Sequence, residues 1–308
     1  MKVIMYHYVQ RYNVKYPNFR FLDFNNFKKQ LDYFEHMNGF VKKDEWLNFV
    51  NNGVLPKKNG KVILTFDDGL KVHYDYVFPE LKKRNLFAFF FIPTFPYTKK
   101  KILDVHRIHL LCGAFSGKEL IHKLLKLIDE SMIPDIKIKA FRNQTYTNQN
   151  NEEGVVHFKR LLNYYIDYKY RTKIIDELCS SFKNKIFVED FYMNSHNIKE
   201  IFDHGNFIGS HSVDHPVMSK LNKRQQLRQI KSSFDYLSSC NVIDIKTYCH
   251  PYGGFHSFNT TTINLLKKES VNYSFNVESR EIVGADYKKN MHSLPRFDCN
   301  LFKFGKAS

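Results

Sequence analysis

The stretch Lys61-Val62-Ile63-Leu64-Thr65-Phe66-Asp67-Asp68-Gly69 is apolar and rich in β-formers until it meets two carboxylates and a glycine. That composition predicts a buried strand running into a loop. Neighbouring side chains of a strand face opposite ways, and adjacent carboxylates repel each other unless a cation or proton compensates. A loop containing Gly can nevertheless aim both at one site. An Asp-Asp-Gly sequence by itself is more often a surface turn, so the remainder of the chain has to supply partners.

Working outward, short apolar runs alternate with helical spacing. A first strand is expected at 3–5, and Phe24–Met37 carries Phe27, Leu31 and Phe34 on one helical side. A helix at 74–84 and a buried strand at 86–92, stopped by Pro93, follow the Asp-Asp-Gly loop. After a different stretch, strands are expected at 206–209, 246–248, 273–276 and 293–296, with helices at 223–237 and Thr260–Lys268 between them. Repeated strand–helix units predict parallel strands covered by helices. The stretch 98–190 differs in texture: helical segments at 106–112, 118–130 and 155–182 flank a polar region rich in Asn and Gln. It reads as a helical insertion within one catalytic domain spanning 1–308, placed over one mouth of a barrel, where insertions diversify function.

His211-Ser212-Val213-Asp214-His215 supplies the partners. Two histidines four apart are expected to share one side of a helical turn, close enough to bind one metal. Among 14 histidines, a bare pair of this spacing is more often two loop or cap residues. Joined to the acidic pair, the odds change. Two imidazoles and one carboxylate make a three-ligand set for a divalent ion with open positions, and the second carboxylate is then left to accept a proton. His106 and His109 have a metal-like spacing too, but no carboxylate partner, and read as helix surface or core.

The chain resembles the polysaccharide deacetylase family, carbohydrate esterase family four. The resemblance rests on TFDDG at 65–69, HSVDH at 211–215 and PYG at 251–253, in the family's order and spacing; Met5-Tyr6-His7 and Leu294-Pro295-Arg296 also look like members that process surface glycans. It covers 1–97 and 191–300 well and the insertion poorly. It implies a distorted (β/α) barrel, with Asp68, His211 and His215 as metal ligands, Asp67 as general base and the backbone N–H of Tyr252 as part of the oxyanion site. The metal expected is Zn2+, with Co2+, Ni2+, Mn2+ and Fe2+ as alternatives. Two positions depart from the pattern. Many members have an Arg two residues before the proline of the third motif, and here that residue is Cys249. Arg296 is expected to reach the same carboxylate from another strand. The usual late Leu-x-His motif, which supplies the general acid, is not evident; His292, Asp298 and His7 are the candidates.

The activity these readings imply is removal of an acetyl group from an N-acetylated sugar. Lys and Arg number 47 against 31 Asp and Glu, giving a formal charge of +16, which favours anionic partners. The lysines are scattered, without aromatic interleaving, so nucleic acid is not expected. A phosphate-bearing precursor of capsule or lipopolysaccharide, nucleotide- or lipid-linked, suits the charge, and peripheral contact with an anionic membrane surface stays open. No long apolar stretch precedes the first strand, and the run 86–95 is too short to span a bilayer and contains Pro93. Five cysteines without a CxxC pair read as reduced thiols. A cytoplasmic location is therefore expected. The rival readings are a non-catalytic glycan-binding protein on the same fold, and a deformylase or amidase acting on another small amide.

Overall fold

In the computed structural model of the protein, the described residues are 1–135, 145, 152–181 and 188–307. The end of the helix expected at 155–182, and parts of the stretch 98–190, lie outside them. The chain divides into two compact units. The first comprises Met1–Arg11, Phe21–Lys101 and Val188–Ser308, and the second Tyr12–Arg20 and Ile102–Phe187.

The first unit is built on β1 (Lys2–Tyr6), β2 (Val9–Gln10), β3 (Leu22–Asp23), β4 (Val62–Asp67), β5 (Ala88–Ile92), β6 (Phe207–Ser210), β7 (Thr247–Cys249), β8 (Tyr273–Phe275) and β9 (Phe297–Asp298). Seven of these form one curled parallel sheet, a half-barrel in the order β8-β7-β6-β5-β4-β1-β9, while β2 and β3 pair separately. The fold is thus the distorted (β/α) barrel class.

Strand side chains alternate between two cores. Ile4, Tyr6, Leu64, Phe66, Phe90 and Ile92 enter one, and Val3, Ile63, Phe89, Phe91, Phe207 and Phe275 the other. A sheet buried on both faces needs the continuous apolar runs seen here. Trp46, fully buried, fills the second core and donates its indole N–H to the Tyr273 hydroxyl at 3.1 Å. The two-residue alternation also settles where Asp67 points. It continues the face of Ile63 and Thr65, toward Cys249 and the interior of the half-barrel.

Phe24–Met37 and Thr260–Lys268 are helices with the expected limits. Three elements differ. The helix expected at 74–84 contains a wide π-turn, His73–Val77, ahead of the α-helical Phe78–Lys83. Pro79 explains the break, because it has no N–H to complete the regular ladder. The strand expected at 293–296 is absent: Pro295 lacks the donor a strand needs, Leu294 makes a single bridge to Phe275, and the strand is Phe297–Asp298, paired with β1. The helix expected at 155–182 is interrupted at Ile166, whose extended backbone separates a π-turn, Leu161–Tyr165, from Tyr168–Ser181.

The second unit is helical: Asp104–Ala114, Gly117–Leu125, Glu153–Arg160 and Tyr168–Ser181 bury Leu111, Leu120, Leu124, Phe158, Ile175 and Leu178. Ser116 and Glu119 close the start of Gly117–Leu125 with a reciprocal capping box.

Candidate metal centre and active site

Asp67 is the last residue of β4, and its carboxylate is buried. The chain then turns through two residues of positive φ, Asp68 at 80° and Gly69 at 63°. This left-handed turn brings two sequential carboxylates to one point, against strand alternation. His7 marks the point, with its Nε2 3.8 Å from Asp67 Oδ2 and 3.9 Å from Asp68 Oδ2.

The two histidines arrive from β6. Gly209 lets that strand lie close on β5, since a Cβ there would stand 2.6 Å from the ring of Phe91. The N–H of His211 donates to Ile92 O at 3.1 Å, which ties it to the end of β5. Residues 211–215 do not form the expected helical turn. Ser212 and His215 have φ of 65° and 54°, and the loop is held by side chains: Gln229 Oε1 accepts from the N–H groups of Val213 and Asp214, and Ser212 Oγ accepts from His215 N–H. The two rings still meet, 4.6 Å apart and near perpendicular.

Asp68 Oδ1 lies 3.6 Å from Nε2 of His211 and 3.6 Å from Nε2 of His215. The three ligand atoms fall within 4.8 Å of one another. Two donors on one tetrahedral ion at about 2.0–2.1 Å stand about 3.3 Å apart, so the set fits a divalent cation. The tautomer fits as well. Nδ1 of His211 lies 2.9 Å from the carbonyl of Cys249, so Nδ1 carries the proton and the Nε2 lone pair faces Asp68. Burial, outweighing the nearby Asp67 and Asp68, lowers the His211 pKa and keeps the ring neutral.

The second carboxylate is held differently. Arg296 donates to Asp67 as a two-pronged fork, both contacts 2.8 Å, and its remaining N–H groups reach Thr65 Oγ1 at 3.0 Å, the Asn276 carbonyl at 3.1 Å and Cys249 Sγ at 2.9 Å. Burial alone would raise the Asp67 pKa. The Arg296 charge, with His211, the fork itself and His7, overcomes it and holds the carboxyl at about 2. Burial, in turn, pushes the Cys249 thiol up despite Arg296, so it is a neutral group that donates weakly to Asp67 Oδ2 at 3.6 Å.

Tyr252 sits in a left-handed turn (φ 64°), followed by Gly253 (φ 71°), where a Cβ would strike Val277 at 2.3 Å. The Tyr252 ring lies 4.9 Å from that of His215. The structure therefore brings Asp67, Asp68, His211, His215, Arg296 and Tyr252 together, with His7 above the acidic pair. The two other acid candidates have different surroundings. The His292 carbonyl is 3.0 Å from Nε2 of His250, and Asp298 accepts from the backbone of Asn300 as a turn cap. Thr65 and Gln229 also hold the site, and neither has a local signal in the sequence that would mark it.

His73 and His250 are also buried. Burial is the main cause that takes them from 6.5 down to about 4 and about 3, against the raising effect of the carbonyls of His7 and His292. In the unfolded chain both protonate near 6.5. Their contribution to stability is therefore complete above about pH 6.5 and is lost as the pH falls toward 4 and then 3. At about 1.4 kcal/mol per pH unit, His73 alone removes about 3 kcal/mol. Urea midpoints are expected to drop steeply between pH 6.5 and 4; a flat profile over that range would contradict the buried, neutral assignment.

A family model described as polysaccharide deacetylase matches residues 174–274, which include the His211–His215 loop and the Tyr252 turn. Over these residues, about a third of the chain, the sequence resembles the polysaccharide deacetylases. The Streptococcus pyogenes deacetylase PplD, solved in complex with acetate, superposes with a TM-score of 0.60 at 16% identity, covering 97% of this chain and 91% of that one. IcaB from Ammonifex degensii gives 0.55 at 17% identity, covering 96% and 90%. A de-N-acetylase from Aggregatibacter actinomycetemcomitans gives 0.52 at 15% identity, covering 96% and 93%. At such identities the likeness is one of fold. No curated protein matches the chain. The family match supports a polysaccharide deacetylase activity, and among the described residues no helix is long and apolar enough to cross a membrane.

Proposed function

We propose that this chain is a metal-dependent N-deacetylase that hydrolyses the acetamide of an N-acetylated sugar. The observation that carries the reading is the convergence of Asp68, His211 and His215 within 4.8 Å, with Asp67 anchored beside them. These three side chains hold the ion, Zn2+ by preference and Co2+, Ni2+, Mn2+ or Fe2+ as alternatives. When bound, such an ion supplies Lewis acidity that polarises the amide carbonyl and acidifies water.

The chain's own residues do the rest. Asp67, ionised at neutral pH, accepts the proton of the attacking water. Arg296 fixes the direction of that carboxylate, and Thr65 and Asn276 fix Arg296. The Tyr252 N–H stabilises the developing oxyanion, a contribution typically worth about 3–4 kcal/mol. His7, with Nε2 beside both carboxylates, protonates the leaving amine. The helical stretch at 98–190 is an insertion in a single catalytic domain.

The formal charge of +16 favours a phosphate-bearing substrate, a nucleotide- or lipid-linked precursor of a surface glycan handled in the cytoplasm, with contact to an anionic membrane surface for the lipid-linked form. The test is acetate release from free, nucleotide-linked and lipid-linked N-acetyl sugars by the protein loaded with each metal in turn. Stoichiometric bound metal without acetate from any of them would favour a glycan-binding protein, and turnover of formamides alone a deformylase.

A further inference from the structure

His7 follows the last residue of β1, where pairing with β4 ends at Tyr6, and precedes β2, which starts at Val9. Its side chain is about one-third exposed, so packing covers the ring only in part. The main chain at this point is fixed from elsewhere. Nε2 of His73 lies 2.6 Å from the carbonyl oxygen of His7, a contact across 66 residues of sequence. A carbonyl only accepts, so His73 is the Nε2–H tautomer.

His73 itself is fully buried, against the rings of Phe66 at 5.4 Å and Phe90 at 6.2 Å. Its Nδ1 is buried and has no hydrogen-bond partner among the described residues. A buried, unsatisfied nitrogen costs about 1–3 kcal/mol, which an apolar residue at 73 would avoid. A histidine solely for packing is therefore a poor choice for this position. The π-turn that begins at His73 is the local distortion often found where a helix serves a site.

We propose that His73 is a positioning residue: through its hydrogen bond to the His7 carbonyl it fixes the chain just beyond β1 and so holds the His7 imidazole over Asp67 and Asp68. The catalytic consequence rests on the hydrolytic reading of the site, whereas the placement of His7 does not.

The experiment compares His73→Phe, His73→Leu, His73→Gln, His7→Ala and the double variant His73→Phe/His7→Ala. Thermal midpoint and bound metal are measured for each, and His73→Leu replaces His73→Phe if the larger ring prevents folding. His73→Phe is expected to lower kcat about 10- to 100-fold with little change in KM, the scale of a small misplacement in an active site. His73→Gln, whose amide can still donate to the carbonyl, recovers much of the loss. In the His7→Ala background, His73→Phe costs little more, because the residue it positions is gone. Full kcat in His73→Phe, or the same fold-loss with and without His7, overturns the proposal. A second readout needs no turnover: the Hε1 resonance of the His7 ring, assigned by its loss in His7→Ala, is expected to shift or broaden in His73→Phe. An unmoved resonance overturns the proposal even if the chain releases no acetate at all.

Discussion

Asp68→Ala is expected to lose bound divalent metal and turnover together, with activity at the blank rate even at millimolar added metal. Asp68 is the only carboxylate in the Asp68–His211–His215 group, and its Oδ1 stands equally far, 3.6 Å, from both imidazole nitrogens. Removing it leaves two neutral nitrogens to neutralise a doubly charged ion, a much poorer site. His211→Ala and His215→Ala should behave alike, since each also leaves two donors. Metal content by elemental analysis, measured beside acetate release, checks the result. An Asp68→Ala protein that retained one metal per chain would show that the ion, if any, is held elsewhere.

Asp67→Asn is expected to separate the two properties. Metal stays near one per chain, because Asp67 is engaged by Arg296 and is not part of the Asp68–His211–His215 group. Turnover falls by about 10²–10⁴-fold, the range for removing a positioned general base. The Asn amide is isosteric but cannot take a proton, and its NH2 group opposes one prong of the Arg296 fork. Some destabilisation is therefore expected, as when one partner of a buried pair is neutralised. The change in kcat with metal retained is the decisive quantity. Unchanged turnover would remove Asp67 from the chemistry and leave it a structural anchor for Arg296. Arg296→Met, measured alongside, leaves the carboxylate buried without its cation and is expected to weaken both folding and kcat.

What the sequence disclosed depended on how local the cause was. Phe24–Met37 and Thr260–Lys268 follow from side-chain periodicity, and their limits were legible. Pro79 and Pro295 are legible too, but their effects on the elements around them are not. The first turns an expected helix into a π-turn, and the second moves a strand from 293–296 to Phe297–Asp298. The loop at 211–215 could not be read as a loop. Its backbone is held by Gln229, from the following helix, which binds Val213 and Asp214, and by Ser212, which binds His215. The assignment of Tyr12–Arg20 to the helical unit has no local signal either. At the site, the acidic pair and the histidine pair were recognisable as motifs, and Arg296 was paired with Asp67 because Cys249 left an arginine missing. The contribution of His73 was invisible, since it depends on a carbonyl 66 residues away.

The order of strands in space has a consequence for synthesis. β5 and β6 are neighbours in the sheet, yet residues 93–206 separate them in the chain, 114 in all. At about 5–20 residues per second, translation leaves roughly ten seconds between the emergence of the two strands. During that interval the nascent chain carries Ala88-Phe89-Phe90-Phe91-Ile92 as an uncovered, wholly apolar edge. Such an edge is a template for pairing with other chains. The helical segments synthesised in between delay the partner that covers it, so this protein's exposure to misassembly is greatest on the ribosome rather than in its finished form.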